Sequence, residues 1–61
     1  MYETIICYDI KTSSGEIIKD KHEVNVYLVE GDSIMNDFRA IKRELEKKLG
    51  YEVITFTYYY K

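Results

Sequence analysis

The sequence is poor in the residues that build disulfide-stabilised, metal-binding or catalytic sites. Its 61 residues include one cysteine, one histidine and three glycines, with no proline and no tryptophan. A single cysteine excludes an internal disulfide, so we expect Cys7 to be an inert, reduced thiol in a reducing cytosol. No second histidine or cysteine stands at metal-ligand spacing from His22, and no glycine-rich phosphate-binding motif is present. We therefore expect no metal, no cofactor and no enzymatic activity.

Long apolar runs are also missing. No stretch approaches the roughly 20 consecutive apolar residues that a membrane-spanning helix needs. The opening segment MYETIICYDI lacks the basic region and apolar run that mark a secretory signal. We therefore expect a cytoplasmic protein with a single domain over 1–61. A chain of this length buries only about 60 % of its unfolded surface, so its core is marginal and oligomerisation is the expected supplement.

The first half of the chain predicts a β-hairpin. Residues 2–12 alternate between apolar and polar side chains in the way of a half-buried strand. The polar cluster that follows contains Gly15, which favours a turn. The returning strand alternates most clearly over 22–29, and the charged residues 19–21 predict a bulge or an exposed interruption before it.

The strongest secondary-structure signal is a helix over about 33–49. Asp32 and Ser33 offer an N-cap oxygen, and Gly50 stands where a left-handed C-cap residue belongs. One apolar stripe recurs at helical spacing between them, formed by Ile34, Phe38, Ile41, Leu45 and Leu49. Residues 51–60, rich in β-branched and aromatic side chains, predict a last strand.

These elements predict an α+β fold with the order ββαβ. The hairpin makes the first two strands antiparallel, and the helix returns the chain so that the third strand lies beside the first. The expected architecture is a three-stranded antiparallel sheet of order 2-1-3, with one helix packed on one face. The C-terminal strand then lies at an edge of the sheet.

That edge strand carries much of the aromatic content of the chain. It lacks proline, and a long apolar edge invites pairing with another strand. We therefore expect a homodimer, with an interface at the C-terminal strand or the helix face near Phe38. The expected interface residues of the strand are Phe56, Tyr58, Tyr59 and Tyr60. Ordinary core filling is the alternative for Tyr8, Tyr58 and Tyr60.

Charge favours a protein partner over a nucleic acid. The chain carries a formal net charge of −2, and most of its carboxylates lie outside the helix. Exposed tyrosines can stack nucleic-acid bases, but such platforms lie in basic grooves, whereas tyrosines are also enriched at protein interfaces. We expect a partner-binding set of acidic, aromatic and apolar side chains: Glu3, Glu23, Glu52, Tyr27, Met35 and Phe38.

The layout resembles the small bacteriophage-encoded inhibitors of uracil-DNA glycosylase. The resemblance lies in the strand order and in Gly31, Ser33 and the pair Asp37-Phe38 at the start of the helix. It implies an acidic homodimer that occupies the DNA-binding face of the enzyme. It also implies that Phe38 lines an aromatic pocket for a hydrophobic residue of the glycosylase. Arg39 and Lys42 stand near positions where the family has an acidic residue and a tyrosine.

The expected function is therefore a non-enzymatic inhibitor that mimics the charge of DNA, with uracil-DNA glycosylase as its target in the cytoplasm of the host. One alternative is a single-stranded nucleic-acid-binding sheet, with bases on Tyr27, Tyr51 or Tyr59 and helix lysines on phosphates. Another is a regulatory subunit without an inhibitory role.

Overall fold

Within residues 1–31 and 33–61, which the computed structural model describes, the chain forms four strands and one helix. Their order is β1 (Tyr2–Thr12), β2 (Ile17–Ile18), β3 (His22–Tyr27), α1 (Ile34–Leu49) and β4 (Val53–Tyr60). The predicted capping role of Asp32 lies outside the described residues. The α+β fold and the ββαβ order are confirmed, with the returning strand of the hairpin divided into β2 and β3.

β1 is the centre of one antiparallel sheet. β3 pairs with its first half, from Tyr2↔Tyr27 to Cys7↔His22, and β2 pairs with its second half at Ile10↔Ile18. β4 pairs along the opposite edge of β1. The break between β2 and β3 covers the exposed residues 19–21, as the charged sequence there predicts. The strand order predicted from the sequence is therefore confirmed, and β4 lies at an edge.

A β-bulge in β1 changes which side chains enter the core. Simple alternation places Ile10 on the opposite face from Cys7, yet both side chains are fully buried. The reason is Asp9, whose φ of 49° accompanies a shift in the pairing of β1 with β4 between Tyr8 and Lys11. A bulge inserts an extra residue and reverses the alternation after it.

β4 contains a compensating irregularity. Its pairing with β1 shifts again between Thr55 and Val53, next to the exposed Ile54. Alternation predicts that Val53 and Phe56 face opposite ways, but both are buried. Phe56 keeps the alternation of Tyr58 and Tyr60, which are opposite Cys7 and Ile5, and the irregularity brings Val53 onto that face.

The helix begins and ends where local sequence signals predict. The backbone N–H of Asn36 donates a hydrogen bond to the Ser33 side chain at 3.2 Å. Gly50 takes a left-handed conformation, with φ 83°, and its N–H donates to the carbonyl of Glu46 at 2.8 Å. The carboxylate of Glu46 accepts a hydrogen bond from the N–H of Val53 at 2.9 Å, which joins the helix to the start of β4.

α1 covers one face of the sheet and leaves the other face open. Ile41 and Leu45 are fully buried against the sheet, while Phe38 and Leu49 are half-buried beside them. The core consists of these two helical residues and seven sheet residues: Ile5, Cys7, Ile10, Val24, Val26, Val53 and Phe56. In the part of the chain that the structure describes, no helix is long and apolar enough to cross a membrane.

Candidate functional site

The titratable residues do not assemble a catalytic centre in the described part of the chain. No group of three or more His, Cys, Asp or Glu side chains there is placed to hold a metal ion. Cys7 is buried, and desolvation raises the pKa of its thiol to about 11, so it stays protonated at neutral pH. His22 is half-buried at the start of β3, opposite Cys7 in the sheet.

Carboxylates gather at the end of the sheet where β1 begins and the helix starts. Glu3, Glu30 and Asp37 line an open cavity of about 270 Å³ together with Tyr60, the last residue of β4. The remaining lining residues are Met1, Leu28, Val29 and Gly31. We call the set Glu3, Glu30, Asp37 and Tyr60 the acidic corner.

Burial and nearby carboxylates both disfavour the ionisation of Tyr60. Burial, followed by the charge of Asp37, raises the pKa of the Tyr60 hydroxyl above its usual value, and Glu3 adds to the effect. A negative charge on the phenol is disfavoured where carboxylates are already close. The negative potential of these carboxylates favours the binding of a cationic group of a partner.

Exposed apolar side chains occur in the lining of this cavity and in the first turn of α1. Val29 belongs to the lining and is exposed. Ile34 and Met35, in the first turn of α1 just before Asp37, are 77 % and 62 % exposed. Phe38, by contrast, is half-buried, and its ring stacks on Phe56 with centroids 4.8 Å apart and planes 8° apart. The first helical turn therefore presents Ile34 and Met35, rather than Phe38, to solvent.

The open side of the sheet carries four tyrosines in two pairs. Tyr2 and Tyr27 are directly opposite in the β1–β3 ladder, and their rings meet edge to face at 5.2 Å. Tyr8 and Tyr59 meet at 5.9 Å across the β1–β4 ladder. Side chains that are directly opposite in adjacent strands share a face. We call this surface, centred on Tyr2, Tyr8, Tyr27 and Tyr59, the tyrosine face.

Charged side chains lie between and beside these rings. Lys61 reaches across β1 to Glu23, with Nζ 2.9 Å from the carboxylate oxygen. The hydrogen bond from Lys61, together with its charge, lowers the pKa of Glu23. The ammonium group of Lys21 lies 5.6 Å from the centre of the Tyr59 ring, within reach of a cation–π contact.

The structure separates the carboxylates that the sequence grouped as one partner-binding set. Glu3 belongs to the acidic corner, Glu23 projects from the other face of the sheet, and Glu52 precedes β4. Met35 is exposed in the first turn of α1, two residues before Asp37, and Tyr27 belongs to the tyrosine face. Sequence reasoning missed Glu30 and Asp37 as members of one surface, because no local signal joins a loop residue to a helical one.

The four residues predicted to form a dimer interface also occupy different environments. Phe56 is 7 % exposed and belongs to the core of the single chain. Tyr58 is half-buried against that core, Tyr59 lies on the tyrosine face, and Tyr60 lies in the acidic corner.

Comparison of the chain with protein-family models, with curated proteins and with solved structures finds no match.

Proposed function

We propose that this chain is a non-enzymatic protein-binding module that docks onto a basic surface of its partner. The observation that supports this proposal is the acidic corner. Three carboxylates from β1, the loop after β3 and the helix surround one open cavity, which the exposed Val29 also lines. Ile34 and Met35 are exposed in the first turn of the helix that carries Asp37. A surface with both acidic and apolar groups is complementary to a cationic groove that contains a hydrophobic patch.

The two kinds of side chain have different roles in this proposal. Carboxylates attract a basic partner over a distance and set its orientation, which raises the association rate more than the affinity. Desolvated apolar contacts supply most of the binding free energy at a typical interface. Ile34 and Met35 are the proposed anchors, and Glu3, Glu30 and Asp37 are the proposed steering charges.

The narrower proposal is an inhibitor of the bacteriophage type that mimics the charge of DNA and blocks the DNA-binding face of a host enzyme. Such a face is basic because it neutralises phosphates. Uracil-DNA glycosylase is the first target to test, since the resemblance of the chain implies it. The mimicking charges in this proposal are those of the acidic corner, in place of the dispersed set Glu3, Glu23 and Glu52.

Inhibition of purified uracil-DNA glycosylase, measured at several salt concentrations, tests the narrower proposal. We expect tight inhibition that weakens as salt rises, because screening acts beyond about 8 Å at physiological ionic strength. The variant with Glu3→Gln, Glu30→Gln and Asp37→Asn should lose at least tenfold in association rate. A matched control with Glu16→Gln and Glu52→Gln removes exposed carboxylates elsewhere and should inhibit normally.

Capture from a bacterial lysate separates failure of the target from failure of the binding site. If the glycosylase is neither bound nor inhibited, the target is wrong, and the same variants serve as baits. A protein that is captured by the natural chain and by the Glu16 and Glu52 control, but lost by the acidic-corner variant, supports a different basic partner. Equal capture by all three baits would show that the acidic corner is not the docking site.

We also propose that the chain forms a homodimer through the outer edge of β4. The N–H of Lys61 donates to the carbonyl of Thr4 at 3.0 Å. In an antiparallel ladder every second residue bonds to the same neighbour, so Tyr59 and Thr57 also direct their backbone N–H and C=O groups toward β1. The backbone groups of Tyr58 and Tyr60 then point away from the sheet. An identical antiparallel strand meets no like charge along the uncharged sequence of β4, and two-fold pairing is the commonest closed arrangement.

The dimer proposal is tested by comparing Tyr60→Pro with Tyr60→Ala. Proline removes the outward N–H without affecting the hydrogen bonds to β1, whereas alanine removes the side chain and keeps the N–H. We expect the proline variant to be monomeric by analytical ultracentrifugation and the alanine variant to remain a dimer. A natural chain that sediments as a monomer at micromolar concentration would refute the proposal.

A further inference from the structure

We propose that the tyrosine face is a second binding site and that its ligand is a single-stranded nucleic acid. This inference does not rest on the proposed function, because the tyrosine face and the acidic corner share no residue. It rests on three observations: the placement of the aromatic rings, the charges among them, and the paired strands that carry them.

The aromatic rings are placed along one side of the sheet. Tyr2 and Tyr8 are six residues apart in β1, which separates their backbone positions by about 20 Å at 3.3 Å per residue. Tyr59 is opposite Ile6, so it stands about 13 Å along the strand from the first pair. Tyr2 is 76 % exposed and Tyr27 is 58 % exposed. Stacking on exposed aromatic rings is the main sequence-tolerant contact in single-strand binding, because every base has a π face.

Among the side chains that the ladders and contacts place on this face, three are cations and two are carboxylates. Lys11, opposite Ile17 and Thr55 in the ladders, lies on the same side as the tyrosines, and Lys21 and Lys61 are placed there by their contacts. The carboxylates are Glu23, which Lys61 neutralises, and Asp9, which is exposed in the bulge. The whole chain carries −2, so this face is more positive than the molecule as a whole.

This distribution reverses the argument that the sequence made against nucleic acid. That argument counted the carboxylates outside the helix together, but Glu3 and Glu23 project from opposite faces of the sheet. The alternative drawn from the sequence also needs correction. Tyr51 lies in the connection between α1 and β4, beside Arg43 and Glu52, and the lysines of α1 lie behind the sheet. The phosphate contacts in our proposal come from Lys11 and Lys21.

A polyanion fits this face better than a second copy of the chain does. Two copies packed face to face would bring their lysines together, and like charges oppose association. The strand pairing and the bond between the Thr4 hydroxyl and Asn25 at 2.9 Å hold the backbone beneath the rings. The platform is therefore formed before the ligand arrives, which lowers the entropy cost of binding.

Fluorescence anisotropy with a labelled oligodeoxythymidine of about 15 nucleotides tests the inference. At low salt we expect a dissociation constant of about 100 µM or tighter, because non-specific contacts typically give about 1–100 µM at physiological salt. The affinity should fall with salt, with a log–log slope of about −0.7 for each phosphate that a lysine neutralises. Lys11→Gln and Lys21→Gln should each reduce that slope by about 0.7, and Arg43→Gln, on the helix, should leave it unchanged.

Tyrosine variants test the stacking contacts. Tyr27→Ala and Tyr59→Ala should each weaken binding roughly tenfold. Tyr51→Ala is the matched control, because Tyr51 is 45 % exposed, close to the 42 % of Tyr59, but lies off the face. Circular dichroism checks that each variant is folded.

Three results would overturn the inference. One is the absence of any anisotropy change with about 100 µM protein at low salt. Another is an equal loss of affinity in Tyr51→Ala and Tyr59→Ala. The third is that replacing Tyr27 or Tyr59 changes the sedimentation or the protein capture of the chain but leaves its affinity for the oligonucleotide unchanged. That result would make the face a protein interface.

Discussion

Replacing Phe38 with alanine distinguishes a core residue from a pocket residue. The sequence leaves both roles open, and the resemblance to glycosylase inhibitors implies a pocket. In the structure the ring of Phe38 stacks on Phe56 at 4.8 Å, and Phe56 is itself buried. A Phe→Ala change in a fully buried site costs about 3–5 kcal/mol. Because Phe38 is half-buried, we expect about 2–3 kcal/mol.

That loss is large relative to the stability of so small a domain. A single hydrophobic core below about 70 residues supplies roughly 3–5 kcal/mol. With a urea m value of about 1 kcal/mol/M, the unfolding midpoint should fall by about 2–3 M. Urea unfolding followed by circular dichroism at 25 °C measures the shift. Met35→Ala is the control, because an exposed side chain away from the core should change the stability by less than about 0.5 kcal/mol.

A double-mutant cycle isolates the stacking of the two rings. Phe38→Leu and Phe56→Leu retain much of the apolar volume, and their non-additivity should be about 0.5–1.5 kcal/mol. If Phe38→Ala shifts the midpoint no more than Met35→Ala does, Phe38 is not a core residue and the pocket role becomes the better explanation. If Phe38→Ala is destabilised but binds its partner fully, Phe38 is not an anchor for the partner, and Ile34 and Met35 are the better candidates.

Three further predictions concern the cap, the thiol and the exposed ion pair. Ser33→Ala should lower the free energy of unfolding by about 1 kcal/mol, whereas Ser33→Asn should retain most of it; equal losses would show that the side-chain cap contributes little. Iodoacetamide should not modify Cys7 in the folded protein at about pH 8, since its pKa is raised, and rapid labelling without unfolding would contradict the buried position. The lowered pKa of Glu23 means that its bond to Lys61 stabilises the fold above the unfolded pKa of Glu23 and is lost as pH falls through the lowered value. In an NMR titration, Lys61→Gln should move the Glu23 midpoint upward.

The sequence by itself determined the features that depend on near neighbours. Ser33 and Gly50 mark the ends of α1 because a cap forms with residues within one turn, at Asn36 and Glu46. The strand order also follows from the sequence, since a hairpin turn and a helical return leave few arrangements of three strand positions. The break at 19–21 is visible for a similar reason, because three exposed polar residues stand together.

Only the tertiary structure decided which side chains face the core and which surfaces form. The bulge at Asp9 places Ile10 beside Cys7, and it exists because β1 must pair with β4 in a shifted register while both bury apolar residues under one helix. The second shift, between Thr55 and Val53, likewise brings Val53 onto the same face as Phe56. The acidic corner joins positions 3, 30, 37 and 60, which are distant along the chain. A pattern of near neighbours carries no information about such contacts, since they arise only when the strands and the helix pack together.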